Sequence, residues 1–247
     1  MRSKLSNLIE YITKKLLGIL LVKNSKDFII IDYDKENNTY LNSLSDKYGS
    51  DKGSLETKSE LPWKPHSYLD LISFLYKGKE NHVHNVFECG IGTNNPLLPS
   101  SMTEKGKPGA SLRMWRDYFN NAQIYGADID KSILFKEERI NTFYVDQLNE
   151  ASIKNMVKEM KIEKEFFDLI IDDGLHTFDA GRSLLEVMIP YLKDGGNYII
   201  EDVGRVSLRH FRTYFEGNKL YTINYINLFR SYEFLKDNRI ILIQKNN

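Results

Sequence analysis

From residue 83 onward, short apolar runs alternate with segments whose apolar residues recur at helical spacing. NVFECG (85–90), IYGADI (124–129), TFYVD (142–146), FFDLIID (166–172) and NYIIED (197–202) are apolar runs bounded by turn residues, the pattern of buried strands. Between the first two, Leu112, Trp115 and Phe119 share one face and predict a helix over 111–119, with Ser111 as its N-cap. Ser132 to Arg139 reads as a short helix, and further helices follow over 151–161 and up to Tyr191, where LKDGG (192–196) is the stop. The tail predicts a helix around 207–216, then YTINYINLF (221–229) and RIILIQK (239–245) as an antiparallel pair joined across Lys236, Asp237 and Asn238. This alternation means an α/β fold, a mainly parallel, doubly wound sheet covered on both faces. Residues 1–80 read as an N-terminal helical extension and cap, with DKYGSDKGS (46–54) as a polar loop and a helix from His66 to Tyr76; residues 81–247 form the main domain. Leu5, Leu8, Ile9, Ile12, Leu16 and Ile19 recur as on one face of an amphipathic helix.

Composition narrows the function classes. Lys plus Arg and Asp plus Glu both number 34, so there is no basic excess of the kind a dedicated nucleic-acid binder carries. Cys89 is the single cysteine, which excludes an internal disulfide framework and a cysteine-built metal cluster and fits the reducing cytoplasm. The apolar run LLGILLV (Leu16–Val22) is too short to span a bilayer, and Lys23 and Lys26 follow it instead of a small-residue cleavage site. Stable membrane insertion is therefore not expected. The N-terminal helix is read as packing on the domain or on a second subunit, giving a homodimer; Lys14 and Lys15 raise attachment to a membrane surface as the alternative.

The chemistry gathers where strands end. ECGIGTN (88–94) is glycine-rich directly after a strand, where glycine lets the backbone turn and approach a ligand. A dinucleotide fingerprint would carry a third glycine where Asn95 stands. Asp128, ending the second strand, is placed to accept hydrogen bonds from ribose hydroxyls, and VDQ (145–147) follows the third. Gly109, Ala110 and Ser111 form a small-residue helix start suited to a carboxylate. Together these suggest an adenosine-bearing ligand, with the long stretch 94–109 as a lid. FDLIIDDGLH (167–176) ends an apolar strand in two acids and a histidine, and either a turn into the next helix or a ligand site explains it.

ECGIGTN, GASLRMWRDYF, IYGADID, FYVDQ, FDLIIDDGLH and LKDGGNYIIEDV, preceded by KYGSDKG and HSYLDLISFLY, resemble class I S-adenosylmethionine-dependent methyltransferases. More narrowly they resemble the metal-dependent macrolide-sugar O-methyltransferases and their relatives in cephamycin biosynthesis, over roughly residues 46–205. The resemblance implies a Rossmann-like, seven-stranded sheet with its last strand antiparallel, which agrees with the tail. It implies a cofactor site of Glu88, Gly90, Gly92, Thr93, Asn94, Ser111, Asp128, Ile129, Asp146, Gln147 and Asp172. It departs from the family in the length of 94–109 and in Leu175, where serine is common.

Asp173 ends the fourth strand and Glu201 and Asp202 the fifth, so a parallel sheet brings three carboxylates together. Clustered acids repel unless a cation joins them or some are protonated. Oxygen ligands favour a hard cation, Mg²⁺ first and Mn²⁺ or Ca²⁺ as alternatives, and the resemblance implies metal ligation by these same residues. Such a cation would lower the pKa of an acceptor hydroxyl, and His176, three residues after Asp173, is the expected base. His66, Tyr68 and His210 are candidate substrate contacts. The expected function is O-methylation of a sugar or sugar-derived small molecule, nucleotide-linked ones included. The Lys-, Asn- and Ile-rich composition points to an AT-rich bacterial gene and by association to capsule or other cell-surface glycans, with natural-product biosynthesis as the other context the resemblance implies. The competing readings are a nicotinamide-dependent oxidoreductase and a non-catalytic adenosine-ligand binder.

Overall fold

The computed structural model describes residues 28–32, 39–53, 61–229 and 238–245. The expected N-terminal amphipathic helix, with any contact it makes, and most of the hairpin connection before Asn238 lie outside the described residues. The strands are β1 (Phe28–Asp32), β2 (Asn85–Cys89), β3 (Gln123–Asp128), β4 (Lys136–Glu137), β5 (Ile140–Tyr144), β6 (Phe167–Asp172), β7 (Leu192–Ile200), β8 (Tyr221–Phe229) and β9 (Arg239–Lys245). The helices are α1 (Tyr40–Tyr48), α2 (Tyr68–Tyr76), α3 (Ala110–Tyr118), α4 (Glu150–Met160), α5 (Phe178–Met188) and α6 (Arg205–Tyr214).

The sheet order is β1-β8-β9-β7-β6-β2-β3-β5-β4. After β2 the chain runs outward through β3 and β5, then returns to β6 on the other side of β2. That reversal is a topological switch point, where open α/β sheets bind ligands beyond the strand carboxyl ends. β9 runs antiparallel to both β7 and β8, as expected of the tail.

The alternation along the strands makes two cores. Val86, Ile124 and Leu169 face a layer containing Leu41, Leu69, Ile72, Trp115 and Phe119. Phe87, Ile170 and Tyr198 face the opposite layer, with Met156, Leu184 and Phe211. Apolar area buried on both faces, at roughly 25 cal/mol per Å², is what holds so parallel a sheet together.

Three expectations need correction. Among the described residues the sheet has nine strands and not seven. One addition is β1, which pairs in parallel with β8 from inside a stretch read as helical. The other is β4, which replaces most of the helix expected over 132–139. Lys136 pairs with Asn141, Arg139 takes a left-handed φ of 58° in the turn, and Thr142 Oγ1 donates to the Phe135 carbonyl at 2.6 Å. Only a 3₁₀ turn, Lys131–Ile133, remains helical there. Finally, LKDGG opens β7 instead of stopping before it, and a register shift against Phe167 and Leu169 absorbs the extra residues.

Candidate active site

Parallel register sets strand ends side by side: Cys89 lies opposite both Ala127 and Asp172, and Asp172 opposite Ile200. The next residues, Gly90, Asp173 and Glu201, therefore cluster. Gly90 has a φ of 86°, and a Cβ there would lie 2.0 Å from the Asp173 carbonyl oxygen. Only glycine lets the β2 exit pass this close to the β6 exit.

A cavity of about 590 Å³ opens at this rim. On its β3–β5 side it is lined by Gly90, Gly92, Thr93, Asp128, Ile129, Asp146 and Gln147. Asp128 is held by the backbone, accepting from Ile91 N and Asp130 N at 2.9 Å each. Burial raises its pKa against the pull of those hydrogen bonds. Gln147 Nε2 donates to Asp172 Oδ1 at 2.7 Å while its Oε1 accepts from Leu175 N at 2.9 Å, tying the β5 and β6 exits together.

The other expected cofactor residues stand behind this wall. Glu88 is fully buried and accepts from Trp115 Nε1 at 2.8 Å. Asp172 is buried beneath Gln147, and Ser111 is buried in the first turn of α3. Asn94 donates to the carbonyls of Thr103 and Gly106, so it clamps the 94–109 loop, which gives Pro99, Ser100, Ser101 and Met102 to the cavity wall. The helix start at Gly109–Ser111 is not part of that wall among the described residues.

The opposite side carries the acids. Asp173, His176 and Asp202 each offer a ligand atom, all within 4.8 Å of one another. Asp202 Oδ1 accepts from Tyr68 Oη at 2.5 Å and lies 3.2 Å from His66 Nδ1; its Oδ2 lies 3.6 Å from His176 Nδ1. Burial alone would raise the Asp202 pKa, but His66, His176, Tyr68 and Lys52 outweigh it and hold the carboxyl below its ordinary value. Asp173 behaves oppositely: burial pushes it up to about 7 against the pull of Lys52. Both His176 (φ 58°) and Asp202 (φ 52°) have left-handed backbones, strain that recurs at functional sites.

Glu201 does not line the cavity. It is 1% exposed and shares Lys52 with Asp173, so Asp173 and Asp202 face the cavity and Glu201 lies behind them. His66 and Tyr68 stack with centroids 5.0 Å apart and both line the cavity. His210 does not: it is exposed on α6, edge-on to Phe178. Sequence reasoning missed Lys52, Asp51 and Trp63, which also line the cavity, Trp63 Nε1 donating to Asp51 at 2.6 Å. KYGSDKG carried the signal for the first two, as a polar loop whose lysine had no assigned partner.

The sheet order, the switch point and the two-sided rim define the fold of class I S-adenosylmethionine-dependent methyltransferases. The mycinamycin-pathway methyltransferase MycE, solved with Mg and SAH, superposes with a TM-score of 0.59 at 22% identity, covering 85% of this chain and 56% of MycE. Within that fold the sequence likeness is to proteins named as O-methyltransferases. The Streptomyces olivaceus tetracenomycin rhamnosyl 3'-O-methyltransferase is 31% identical over 66% of this chain and 36% of its own length. The Streptomyces olivaceus 8-demethyl-8-alpha-L-rhamnosyl tetracenomycin-C 2'-O-methyltransferase is 28% identical over 66% and 37%. The L-olivosyl-oleandolide 3-O-methyltransferase of Streptomyces antibioticus is 37% identical over 47% and 27%. The matches thus span little more than a third of these curated relatives at most. No protein-family model matches the chain.

Proposed function

We propose that this chain transfers the methyl group of S-adenosylmethionine to a hydroxyl of a sugar or sugar-derived small molecule, with a divalent cation, Mg²⁺ first, as second cofactor. One observation carries the reading: a single cavity has glycine turns and Asp128 on one wall and Asp173, His176 and Asp202 on the other. The first wall suits an adenosine and its ribose; the second suits a hydroxyl that must lose a proton. That the sequence relatives bear names of sugar O-methyltransferases supports the acceptor class. Nucleotide-linked sugars for surface glycans fall within that class.

The donor set fits a hard cation: the carboxylates of Asp173 and Asp202 lie close together, Asp173 would shed its proton to bind it, and the His176 imidazole beside them stays available as a base. A bound divalent cation would supply charge that acidifies the acceptor hydroxyl. Asp173 and Asp202 hold that position, with Glu201 behind them. His176 takes the proton, and Asp202 beside it favours the imidazolium that results. Tyr68 and His66 fix Asp202 from the far side. In this reading the residues before 81 act as a cap, because Lys52, Trp63, His66 and Tyr68 close the same cavity.

The test is methyl transfer from labelled S-adenosylmethionine to a panel of nucleotide-linked and glycoside sugars. Turnover should appear with Mg²⁺, vanish in EDTA and return on adding Mg²⁺, while S-adenosylmethionine binding by calorimetry persists throughout. Full turnover in excess EDTA rules out the cation, and binding of NAD in place of S-adenosylmethionine rules out the reaction.

A further inference from the structure

The loop after α1 carries a lysine into the middle of the acids. Lys52 is 3% exposed. Its Nζ lies 2.5 Å from Asp173 Oδ2 and 3.1 Å from Glu88 Oε1, and it also donates to Glu201 Oε2. One ammonium thus serves carboxylates from the ends of β2, β6 and β7. Burial by itself favours the neutral amine, but Asp173, Glu201 and Glu88 overcome it and raise the pKa well above that of ordinary lysine. The remaining acid, Asp202, is turned to His66, Tyr68 and His176. Glu88 Oε1 and Glu201 Oε1 are buried with no hydrogen-bond donor, and beyond the Trp115 N–H on Glu88 Oε2 it is the charge of Lys52 that compensates these two carboxylates.

We infer that Lys52 is the positioning residue of the cation site: its ammonium compensates Glu88 and Glu201, aims Asp173 toward Asp202 and His176, and sets cation affinity by competing for Asp173. The inference rests on the cation reading above. Taking away a buried positive charge leaves carboxylates that repel at short range in a poorly screened interior. A divalent cation relieves that repulsion, so the variant should want one more than the wild type does.

The experiment titrates Mn²⁺ by electron paramagnetic resonance and follows thermal melting with and without EDTA. Lys52→Met should bind Mn²⁺ at least about tenfold more tightly than wild type. It should melt well below wild type in EDTA and gain more from Mn²⁺ than wild type gains. A lysine that merely fills space would lower the melting temperature in both conditions and leave the gain unchanged. The double variant Glu88→Gln/Lys52→Met, which removes one buried charge of each sign, should recover most stability in EDTA and bind Mn²⁺ within about threefold of wild type.

Lys52→Met that binds Mn²⁺ no more tightly than wild type overturns the inference. So does a double variant no more stable than the single. If Lys52→Met does not fold even with Mn²⁺, the double variant decides alone: folded with near-wild-type affinity supports the inference, unfolded overturns it. Wild-type protein that takes up no Mn²⁺ fails the cation reading instead, and the melts in EDTA still judge the lysine.

Discussion

Two ionic clusters join the stretch 39–53 to the sheet domain, four residues apart in sequence and opposite in character. The outer one gathers Lys47, Tyr48, Arg116, Asp117 and, through Arg116, Glu137. The inner one gathers Lys52, Glu88, Asp173 and Glu201. The Lys47 side chain is 57% exposed and that of Lys52 only 4%. Water screens the outer pairs and replaces any partner that leaves, so each contributes little. Inside, a partner that leaves strands a charge without solvent, at a cost of about 3–5 kcal/mol. Similar contacts therefore do different things. The outer cluster fastens α1 to α3, whereas the inner one fixes the geometry of groups that face the cavity.

If the inner cluster serves chemistry, the largest effect should come from the histidine beside its cavity-facing acid, Asp173. His176→Ala should lower the single-turnover methyl-transfer rate by about 10²–10⁴, the usual contribution of a general base. S-adenosylmethionine affinity should stay at the wild-type value, because His176 lies on the acid wall and not beside Asp128. A variant with a wild-type single-turnover rate would collapse the distinction, leaving the inner cluster as mere fastening.

The two walls of the cavity were unequally legible in the sequence. The wall proposed for the cofactor is built from backbone turns at consecutive strand ends, and local signals announce such turns: Gly90 and Gly92 after β2, Asp128 ending β3, Gln147 after β5. Strand alternation fixes their order and parallel pairing fixes their height. The acid wall needed more. Asp173, Glu201 and Asp202 announced themselves as strand-end acids, but the partners they meet, Lys52 for Asp173 and Glu201 and Tyr68 for Asp202, lie more than a hundred residues upstream. Glu201 followed that lysine and left the cavity side to Asp173, His176 and Asp202. β4 escaped notice for a related reason. It is two residues long, and its pairing depends on Arg139 and Thr142 rather than on any apolar pattern.

A middle-sized effect sharpens the contrast from the cofactor wall. Asp128→Ala should weaken S-adenosylmethionine binding by about 1.5–3 kcal/mol, the scale of hydrogen bonds to a charged group. Calorimetry on the folded variant measures it, with Mn²⁺ uptake as the control that should not move. Unchanged S-adenosylmethionine affinity would remove Asp128 from the site. A parallel loss of Mn²⁺ would mean that the walls are one unit and not two.

The smallest effect belongs to the outer cluster, and its pH dependence identifies it. Partial burial raises the Asp117 carboxyl, but hydrogen bonds from Tyr48, Lys47 and Arg116 outweigh burial and hold its pKa at about 2. A carboxyl depressed on folding binds its proton more weakly in the native than in the unfolded chain. Its stabilisation is therefore fully present above the unfolded value of about 3.9 and is lost as pH falls through the folded one. Asp117→Asn should cost no more than about 1 kcal/mol at neutral pH, since the group is partly solvated. Urea unfolding from pH 7 downward should show the gap to wild type constant until about pH 4 and narrowing below it, as wild-type Asp117 takes up its proton. S-adenosylmethionine and Mn²⁺ binding should be indistinguishable from wild type. A gap that stays constant into the acid range would mean the substitution acts by packing against Tyr48 rather than through charge. A gap as large as that of Lys52→Met would mean that solvent exposure does not separate the two clusters after all.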